Sequence, residues 1–170
     1  GDLHQTLWRI ETMRLMIKEG SNELLVPIIF YLDALVLDAY GKLTLEPLSF
    51  TFAIFRRHLR NQKQAFRTLG FIEDLDHLYG ANHITPDQKA DDYHHICSII
   101  LDDFKKTQLE GGMEWDFVID GITYRKTLKF PLMFIIGDCK GHDMVCGRLA
   151  SHTTKGLSRD CDCTLASSDD

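Results

Sequence analysis

The stretch Ile28–Tyr40, IIFYLDALVLDAY, has the strongest strand pattern in the chain and decides the fold. Its nearly continuous apolar run begins after Pro27 and predicts a first, buried strand that extends to about Leu37. Two aspartates, Asp33 and Asp38, interrupt the run. The turn-like sequence AYGKL accounts for Asp38, but a buried carboxylate at Asp33 is costly unless it is paired, protonated or bound to a metal. We therefore expect Asp33 to have a partner.

Two further strand patterns follow at short spacing. Residues 47–55, PLSFTFAIF, alternate between large apolar and smaller or polar side chains, which is typical of a half-buried strand. The basic and polar segment 56–64 predicts a connection or a short helix, and residues 65–72, AFRTLGFI, predict a weaker third strand. Three short strands with short connections favour an antiparallel meander.

Helical patterns lie on both sides of this meander. Residues 2–19 are predicted to form an amphipathic helix, because apolar residues recur there at helical spacing: Leu3, Leu7, Ile10, Met13 and Ile17. The sequence TPDQ, residues 85–88, forms a capping box with proline at the first helical position. It predicts a long helix over residues 86–109 that ends at Gly111 and Gly112.

The second half of the chain combines a hairpin with a second acidic strand. Asp120 and Gly121 stand between two strand-like arms and predict a two-residue hairpin turn. Residues 131–138, PLMFIIGD, form another apolar run, which ends on Asp138. Residues 140–150, KGHDMVCGRLA, are predicted to be helical, and residues 151–170 to be a polar tail. The order of helices and strands indicates an α/β fold.

Length and composition limit the class of protein. The chain has 170 residues, enough for one domain with a core, and no apolar segment approaches the roughly 20 residues of a membrane span. The formal net charge of −6 argues against a dedicated nucleic-acid binder. Five cysteines, an odd number, favour reduced thiols in an intracellular compartment. Because residue 1 is glycine and not methionine, we expect a piece of a longer protein.

Asp33 and Asp138 form the first pair of candidate functional residues. Each lies within or at the end of an apolar strand, and ligands of α/β sheets bind at the carboxyl ends of neighbouring strands. Two carboxylates there can share Mg²⁺ or Mn²⁺, which prefer oxygen ligands and keep the acids ionised. The alternative is that Asp138 caps the following helix. Asp143 is either a helix-surface residue or one that orients the metal ligands.

A cysteine pair near the end of the sequence is a second candidate site. Cys161 and Cys163 in SRDCDC are close enough to bind one structural Zn²⁺ ion. A tetrahedral zinc site needs two more ligands, which His152, Cys146 or residues after this stretch would have to supply.

One segment has a local excess of positive charge. Its candidate DNA-binding residues are Arg56, Arg57, Arg60 and Lys63. The segment is either a solvated connection without a function or the surface that contacts DNA phosphates.

With these residues in view, the chain resembles the catalytic-core region of eukaryotic DDE-type transposases of the CACTA/Plavaka kind, which are transposable-element proteins. The order and spacing of the matching stretches carry the resemblance, and together they cover most of residues 24–165. The stretches are VPIIFYLDALVLDAYGKLTLEPLSFTFAIFRR, FRTLGFIED, DYHHICSIILDDFKKTQLEGGMEWDFVIDGITYR, and GDCKGHDMVCGRLASHT followed by LSRDCDC.

The resemblance implies an RNase H-like fold, with an antiparallel three-strand meander, flanking helices, an inserted hairpin and a parallel strand that carries the second acid. Asp33 matches the first catalytic acid and Asp138 matches the second. Asp143 begins a D-x-x-C-G-R motif, and Cys161 and Cys163 match a cysteine cluster of the family. The implied domains are an N-terminal helix and connection over 1–23, a partial catalytic core over 24–150, and a Cys-containing tail over 151–170 that starts an insertion.

The resemblance also implies a function. In the full-length protein, two Mg²⁺ or Mn²⁺ ions would support DNA strand cleavage and transfer, with transposon-end DNA as partner and a nuclear or intracellular location. No membrane is implied, and the oligomeric state is left open. Ser158 replaces a cysteine of the family's cluster, and the third acid is expected downstream of Asp170, so we expect this piece alone to be inactive. The alternative is a degenerate, transposon-derived DNA- or protein-binding module without catalysis.

Overall fold

The structure is a computed structural model that describes residues 7–37, 39, 44–73, 75, 85–137 and 145. This part of the chain contains both strands and helices, with mixed sheets, so the predicted α/β class is confirmed. The described strands are β1 Glu23–Leu25, β2 Ile28–Leu32, β3 Leu35–Val36, β4 Thr44–Phe52, β5 Arg67–Glu73, β6 Met113–Ile119, β7 Ile122–Lys129 and β8 Leu132–Gly137. The described helices are α1 Leu7–Met16, α2 Arg57–Arg60, a 3₁₀ turn Lys63–Ala65, α3 Pro86–Ile100 and α4 Asp102–Leu109.

The strands form two sheets. One sheet has the order β1-β7-β6, and the other has the order β3-β4-β2-β8, with β5 also paired to β4. By their internal contacts the described residues divide into two compact units, one with residues 7–30, 49–69 and 100–135. The other unit takes the described residues of 31–48, 70–99 and 136–145. The strands β2 and β4 contribute residues to both units.

A parallel ladder connects the beginning of the chain with its later strands. The strand β1 pairs in parallel with β7, with Leu25 beside Lys129. Beyond these two strands, Val26 N–H donates a hydrogen bond to the Lys129 carbonyl at 2.7 Å. Ile28 N–H then donates to the Pro131 carbonyl at 2.9 Å. Residues 23–28 and 127–131 therefore run in the same direction. The hydrogen bonds between them continue from the three-stranded sheet into the five-stranded sheet.

The predicted antiparallel meander is present in the second sheet. The strands β3 and β4 pair antiparallel. Beside the other edge of β4, the Ser49 and Thr68 hydroxyls lie 3.1 Å apart, and the Thr51 hydroxyl donates to the Ala65 carbonyl at 2.8 Å. Ser49 contacts Thr68, whereas Thr51, further along β4, contacts the earlier residue Ala65. The segment that leads into β5 therefore runs antiparallel to β4. The Thr51 hydroxyl is wholly buried, and this hydrogen bond satisfies it.

The capping box at the start of α3 is confirmed. Gln88 N–H donates to the Thr85 hydroxyl at 3.2 Å, and Thr85 N–H donates to the Gln88 side-chain oxygen at 3.0 Å. The predicted single helix over 86–109 is wrong in one respect, because it breaks at Leu101, whose ψ of 5° is not helical. The acidic pair Asp102 and Asp103 occupies the first turn of α4, where negative charge favours a new helix start.

Aromatic contacts hold the helix α4 and the strands together in the first unit. The rings of Phe30 on β2 and Phe104 on α4 meet edge to face, with centroids 5.5 Å apart. Phe52 on β4 stacks on Phe130 at 6.2 Å, and the Gln108 side-chain amide donates to the Phe130 carbonyl at 2.7 Å. The Phe130 backbone and ring are therefore both fixed just before β8 begins.

The hairpin between β6 and β7 is confirmed. Asp120 and Gly121 have φ angles of 51° and 77°, as a type I′ turn requires, and Ile119 pairs with Ile122 across the turn. The hairpin belongs to the three-stranded sheet with β1 and not to the five-stranded one.

Two boundaries and one burial prediction are corrected. The first predicted strand, 28–37, is split into β2 and β3, and the second begins at Thr44 and not at residue 47. The helix α1 has no buried residue. Its expected apolar stripe is exposed because Trp8 and Leu15 lie on the opposite side of the helix, so no single face is apolar. The helix predicted over 140–150 and the tail over 151–170 lie outside the described residues, apart from Val145.

Candidate functional site

The ends of β2 and β8 lie side by side. At their beginnings, Ile28 donates a hydrogen bond to Pro131, the residue before β8. At their ends, a methyl group added to the Gly137 Cα would come within 2.7 Å of the Leu32 carbonyl oxygen. Two neighbouring strands that begin together and end together are parallel, so their carboxyl ends share one edge of the sheet. Ligands of α/β sheets bind at such edges.

Asp33 and Asp138 are the next residues in the sequence after these two strand ends. Asp33 is exposed, and Asp138 lies outside the described residues. The structure therefore brings together the two strand ends that the sequence analysis paired. The joint role of the two carboxylates stays a prediction.

Asp33 is not the buried, mid-strand residue that the sequence predicted. It lies in the short gap between β2 and β3, and its side chain is exposed. Because water solvates an exposed carboxylate, Asp33 has no burial cost that a partner must offset. Asp33 does lie directly after the end of β2. Its exposure means that burial of its carboxylate gives no reason to expect a bound metal.

The gap at Asp33 has a cause in the neighbouring strand. Ala53 N–H donates to the Pro27 carbonyl at 2.8 Å, and Leu35 pairs with Leu45, so β2 and β3 follow one antiparallel register along β4. In this register Asp33 faces Pro47. Proline has no N–H to donate to the Asp33 carbonyl, so the ladder loses a bond at this position. The strand is interrupted there.

The other acids and the cysteines of the sequence analysis lie outside the described residues. These residues are Asp38, Asp143, Cys161 and Cys163. Within the described part of the chain, no group of three or more His, Cys, Asp or Glu side chains is arranged to hold a metal ion. The Mg²⁺, Mn²⁺ and Zn²⁺ predictions therefore stay predictions.

The basic segment lies on α2 and the 3₁₀ turn that follows β4. Arg56, Arg57 and Lys63 are exposed there. Arg60 is half-buried, and its guanidinium donates to the Ala53 carbonyl at 3.5 Å, which gives it a structural contact. The three exposed cations have room for phosphate contacts, whereas Arg60 already binds the end of the sheet strand.

A polar cluster that the sequence analysis missed connects β4 with α3. The Tyr93 hydroxyl donates to the Glu46 carboxylate at 2.8 Å, and Tyr93 is only 3% exposed. Burial, and then the hydrogen bond to Glu46, raise the pKa of the Tyr93 phenol. Burial, followed by the negative charge of Glu46, raises the pKa of the Cys97 thiol to about 11. Both groups are therefore protonated near neutral pH.

A sequence signal for this cluster exists. Glu46 stands in TLEPL, within a strand of mostly apolar residues, and Tyr93 and Cys97 are one helical turn apart on the face predicted to be buried. An acid on a half-buried strand needs a donor, and the helix face supplies one.

Comparisons with known protein families, with curated proteins and with solved structures find no match to this chain. No helix among the described residues is long and apolar enough to cross a membrane.

Proposed function

We propose that the chain is part of an RNase H-like catalytic core of the DDE transposase type, in which Asp33 and Asp138 bind Mg²⁺ or Mn²⁺ for DNA strand cleavage and transfer. The observation that carries the proposal is the parallel pairing of β2 with β8. It brings the carboxyl ends of the two strands, at Leu32 and Gly137, to one edge of the sheet, where ligands of α/β sheets bind.

The order of the strands also supports the proposal. The meander of β2, β4 and β5 comes first, α3 and α4 follow, and β8 returns parallel to β2. The hairpin β6–β7 is inserted before β8. This is the arrangement that the resemblance to DDE transposases implies, with the two acids following the first and the last of these strands.

The chemistry of the described residues fits a divalent cation. Asp33 offers an exposed carboxylate, and a hard cation such as Mg²⁺ binds oxygen ligands while it keeps several water molecules. When bound, such ions activate the attacking oxygen and stabilise the leaving one. Gly137 contributes by its size, because it lets β8 lie close enough to Leu32 for the two strand ends to meet.

Binding of Mn²⁺ tests the proposal without relying on activity. We expect Asp33→Asn and Asp138→Asn each to weaken Mn²⁺ binding at least about tenfold, because each removes a negatively charged ligand. Asp91→Asn is the matched control, since Asp91 is an exposed acid on α3, outside the candidate site. Electron paramagnetic resonance of free Mn²⁺ measures the three affinities. Equal affinities for wild type, Asp33→Asn and Asp138→Asn contradict the proposal.

The second candidate function is a transposon-derived DNA-binding module without catalysis. The exposed cations Arg56, Arg57 and Lys63 favour it, because phosphate contacts need no metal. Binding of duplex DNA by a chain that does not bind Mn²⁺ would support this candidate over the catalytic one.

A further inference from the structure

Gly137 is the last residue of β8, and the structure leaves no room for a side chain there. A methyl group on its Cα would lie 2.7 Å from the Leu32 carbonyl oxygen and 3.5 Å from the Leu32 Cβ. The first distance is too short for a real Cβ atom, because ordinary contacts of this kind are 3.4 Å or longer. Only glycine at position 137 therefore allows the end of β8 to lie this close to the end of β2.

The backbone conformation of Gly137 gives no other reason for glycine at this position. Gly137 is not among the described glycines that have a positive φ angle. Any residue can adopt its strand conformation, so the close approach to Leu32 is the feature that requires glycine.

An alanine at position 137 would displace β8 and not β2. Leu32 is 2% exposed, and the close packing around a buried side chain resists displacement. The strand β8 stands at the end of the order β3-β4-β2-β8, and Ile136 and Gly137 are exposed. To lengthen the contact from 2.7 to 3.4 Å, the end of β8 would have to move away from Leu32 by about 0.7 Å.

This displacement would act unequally on the two proposed metal ligands. Asp33 follows the buried Leu32, which stays in place. Asp138 is bonded to Gly137, which is the residue that moves. The distance between the two points on the backbone from which the ligands follow would therefore grow.

Divalent cations differ in the ligand separation that they accept. Mg²⁺ demands nearly ideal octahedral geometry, with oxygen ligands at about 2.0–2.1 Å. Ca²⁺ accepts six to eight oxygen ligands at about 2.3–2.6 Å, in flexible arrangements. This difference in bond length corresponds to about 0.4–1.0 Å in the separation of two ligand oxygens on one ion. The displacement caused by an alanine is of the same size, so it would favour the larger ion.

We infer that Gly137 is a positioning residue that makes the site selective for small divalent cations, Mg²⁺ or Mn²⁺, over Ca²⁺. The inference rests on the proposed function, because it needs Asp33 and Asp138 to bind the cation. The two acids alone do not select the ion, since carboxylates bind Mg²⁺ and Ca²⁺ alike. The close approach of β8 to Leu32, which Gly137 permits, adds the selection by size.

Competition against Mn²⁺ tests the selectivity without relying on activity. Electron paramagnetic resonance measures the Mn²⁺ bound to the 170-residue chain while added Mg²⁺ or Ca²⁺ displaces it. We expect Gly137→Ala to lower the ratio of Mg²⁺ affinity to Ca²⁺ affinity at least about tenfold, the lower limit for residues that orient metal ligands.

Gly112→Ala is the matched control, because it creates the same kind of contact in the other compact unit. A methyl group on Gly112 would lie 2.5 Å from the Leu128 carbonyl oxygen. Both variants are therefore expected to lose stability, which thermal melting measures, whereas the affinity ratio should change in Gly137→Ala alone. An equal change of this ratio in the two variants overturns the inference.

The outcomes separate this inference from the proposed function. If wild type binds Mn²⁺, Asp33→Asn weakens that binding and Gly137→Ala leaves the affinity ratio unchanged, the inference is overturned and the proposed function stands. A wild type that binds no Mn²⁺ overturns both. If circular dichroism shows Gly137→Ala to be unfolded, the wild type decides: it should bind Mg²⁺ more tightly than Ca²⁺, and equal or reversed affinities overturn the inference.

Discussion

The contribution of the Tyr93 hydroxyl to stability can be measured by removing its hydrogen bond to Glu46. Tyr93→Phe keeps the buried ring and removes the bond to the Glu46 carboxylate. We expect the free energy of unfolding to fall by about 1.5–3 kcal/mol, the range for hydrogen bonds to charged groups. Urea denaturation measures it, and Tyr124→Phe on the exposed hairpin is the control with an expected change near zero. Equal losses in both variants would show that the Tyr93 hydroxyl contributes nothing specific.

The same cluster predicts how stability depends on pH. The pKa of Cys97 rises from its ordinary value of 9.0 to about 11 in the folded chain, and the pKa of Tyr93 is raised as well. Folding therefore favours the protonated thiol, and this contribution is fully present below pH 9 and is lost as pH rises toward 11. Thermal melting should show a smaller decline over this pH window in Cys97→Ala than in wild type. An identical decline would contradict the assignment to Cys97.

At the scale of elements, the signals that are local in sequence predicted the structure well. The capping box at Thr85 and the turn at Asp120 and Gly121 depend on residues within four positions of one another, and both are present. The gap at Asp33 depends on Pro47, which meets it only through the register of two strands. Periodicity does not specify a register, so the sequence predicted one long strand where the structure has β2 and β3.

The sequence likewise predicted one part of the candidate site and missed another. Parallel pairing of the two acidic strands followed from the α/β order, because a crossover with helices favours parallel neighbours. The exposure of Asp33 was not predictable, since it depends on the missing N–H of Pro47. The partnership of Glu46 with Tyr93 was also missed, because it connects a strand to a helix far away in the sequence.

Restoring the missing donor should close the gap. Pro47→Val supplies an N–H opposite the Asp33 carbonyl, so we expect β2 and β3 to form one ladder. Hydrogen exchange of the backbone amides of residues 33–36 should become slower than in wild type. Leu45→Val is the control, because it changes a side chain of β4 without adding a donor. Unchanged exchange in Pro47→Val would show that Pro47 is not the cause of the gap.

At the scale of the whole molecule, net charge and local charge act in opposite directions. The chain has a formal net charge of −6, which repels DNA at long range. Salt screens this repulsion beyond a Debye length of about 10 Å at 0.1 M ionic strength. Contacts between phosphates and the exposed basic segment then depend on the short-range geometry of that segment, so its cations should determine DNA affinity.

Salt dependence separates a phosphate contact from a structural one. We expect Arg57→Ala and Lys63→Ala each to lower the slope of log affinity against log salt by about 1 for duplex DNA, measured by fluorescence anisotropy. Lys105→Ala, which removes an exposed cation from α4, should leave the slope unchanged. Arg60→Ala should lower the melting temperature, because the Arg60 guanidinium binds the Ala53 carbonyl, and it should change the salt slope less than Arg57→Ala does. Equal slopes for Arg57→Ala, Lys63→Ala and Lys105→Ala would mean that the basic segment is a solvated connection and that DNA, if bound, is bound elsewhere.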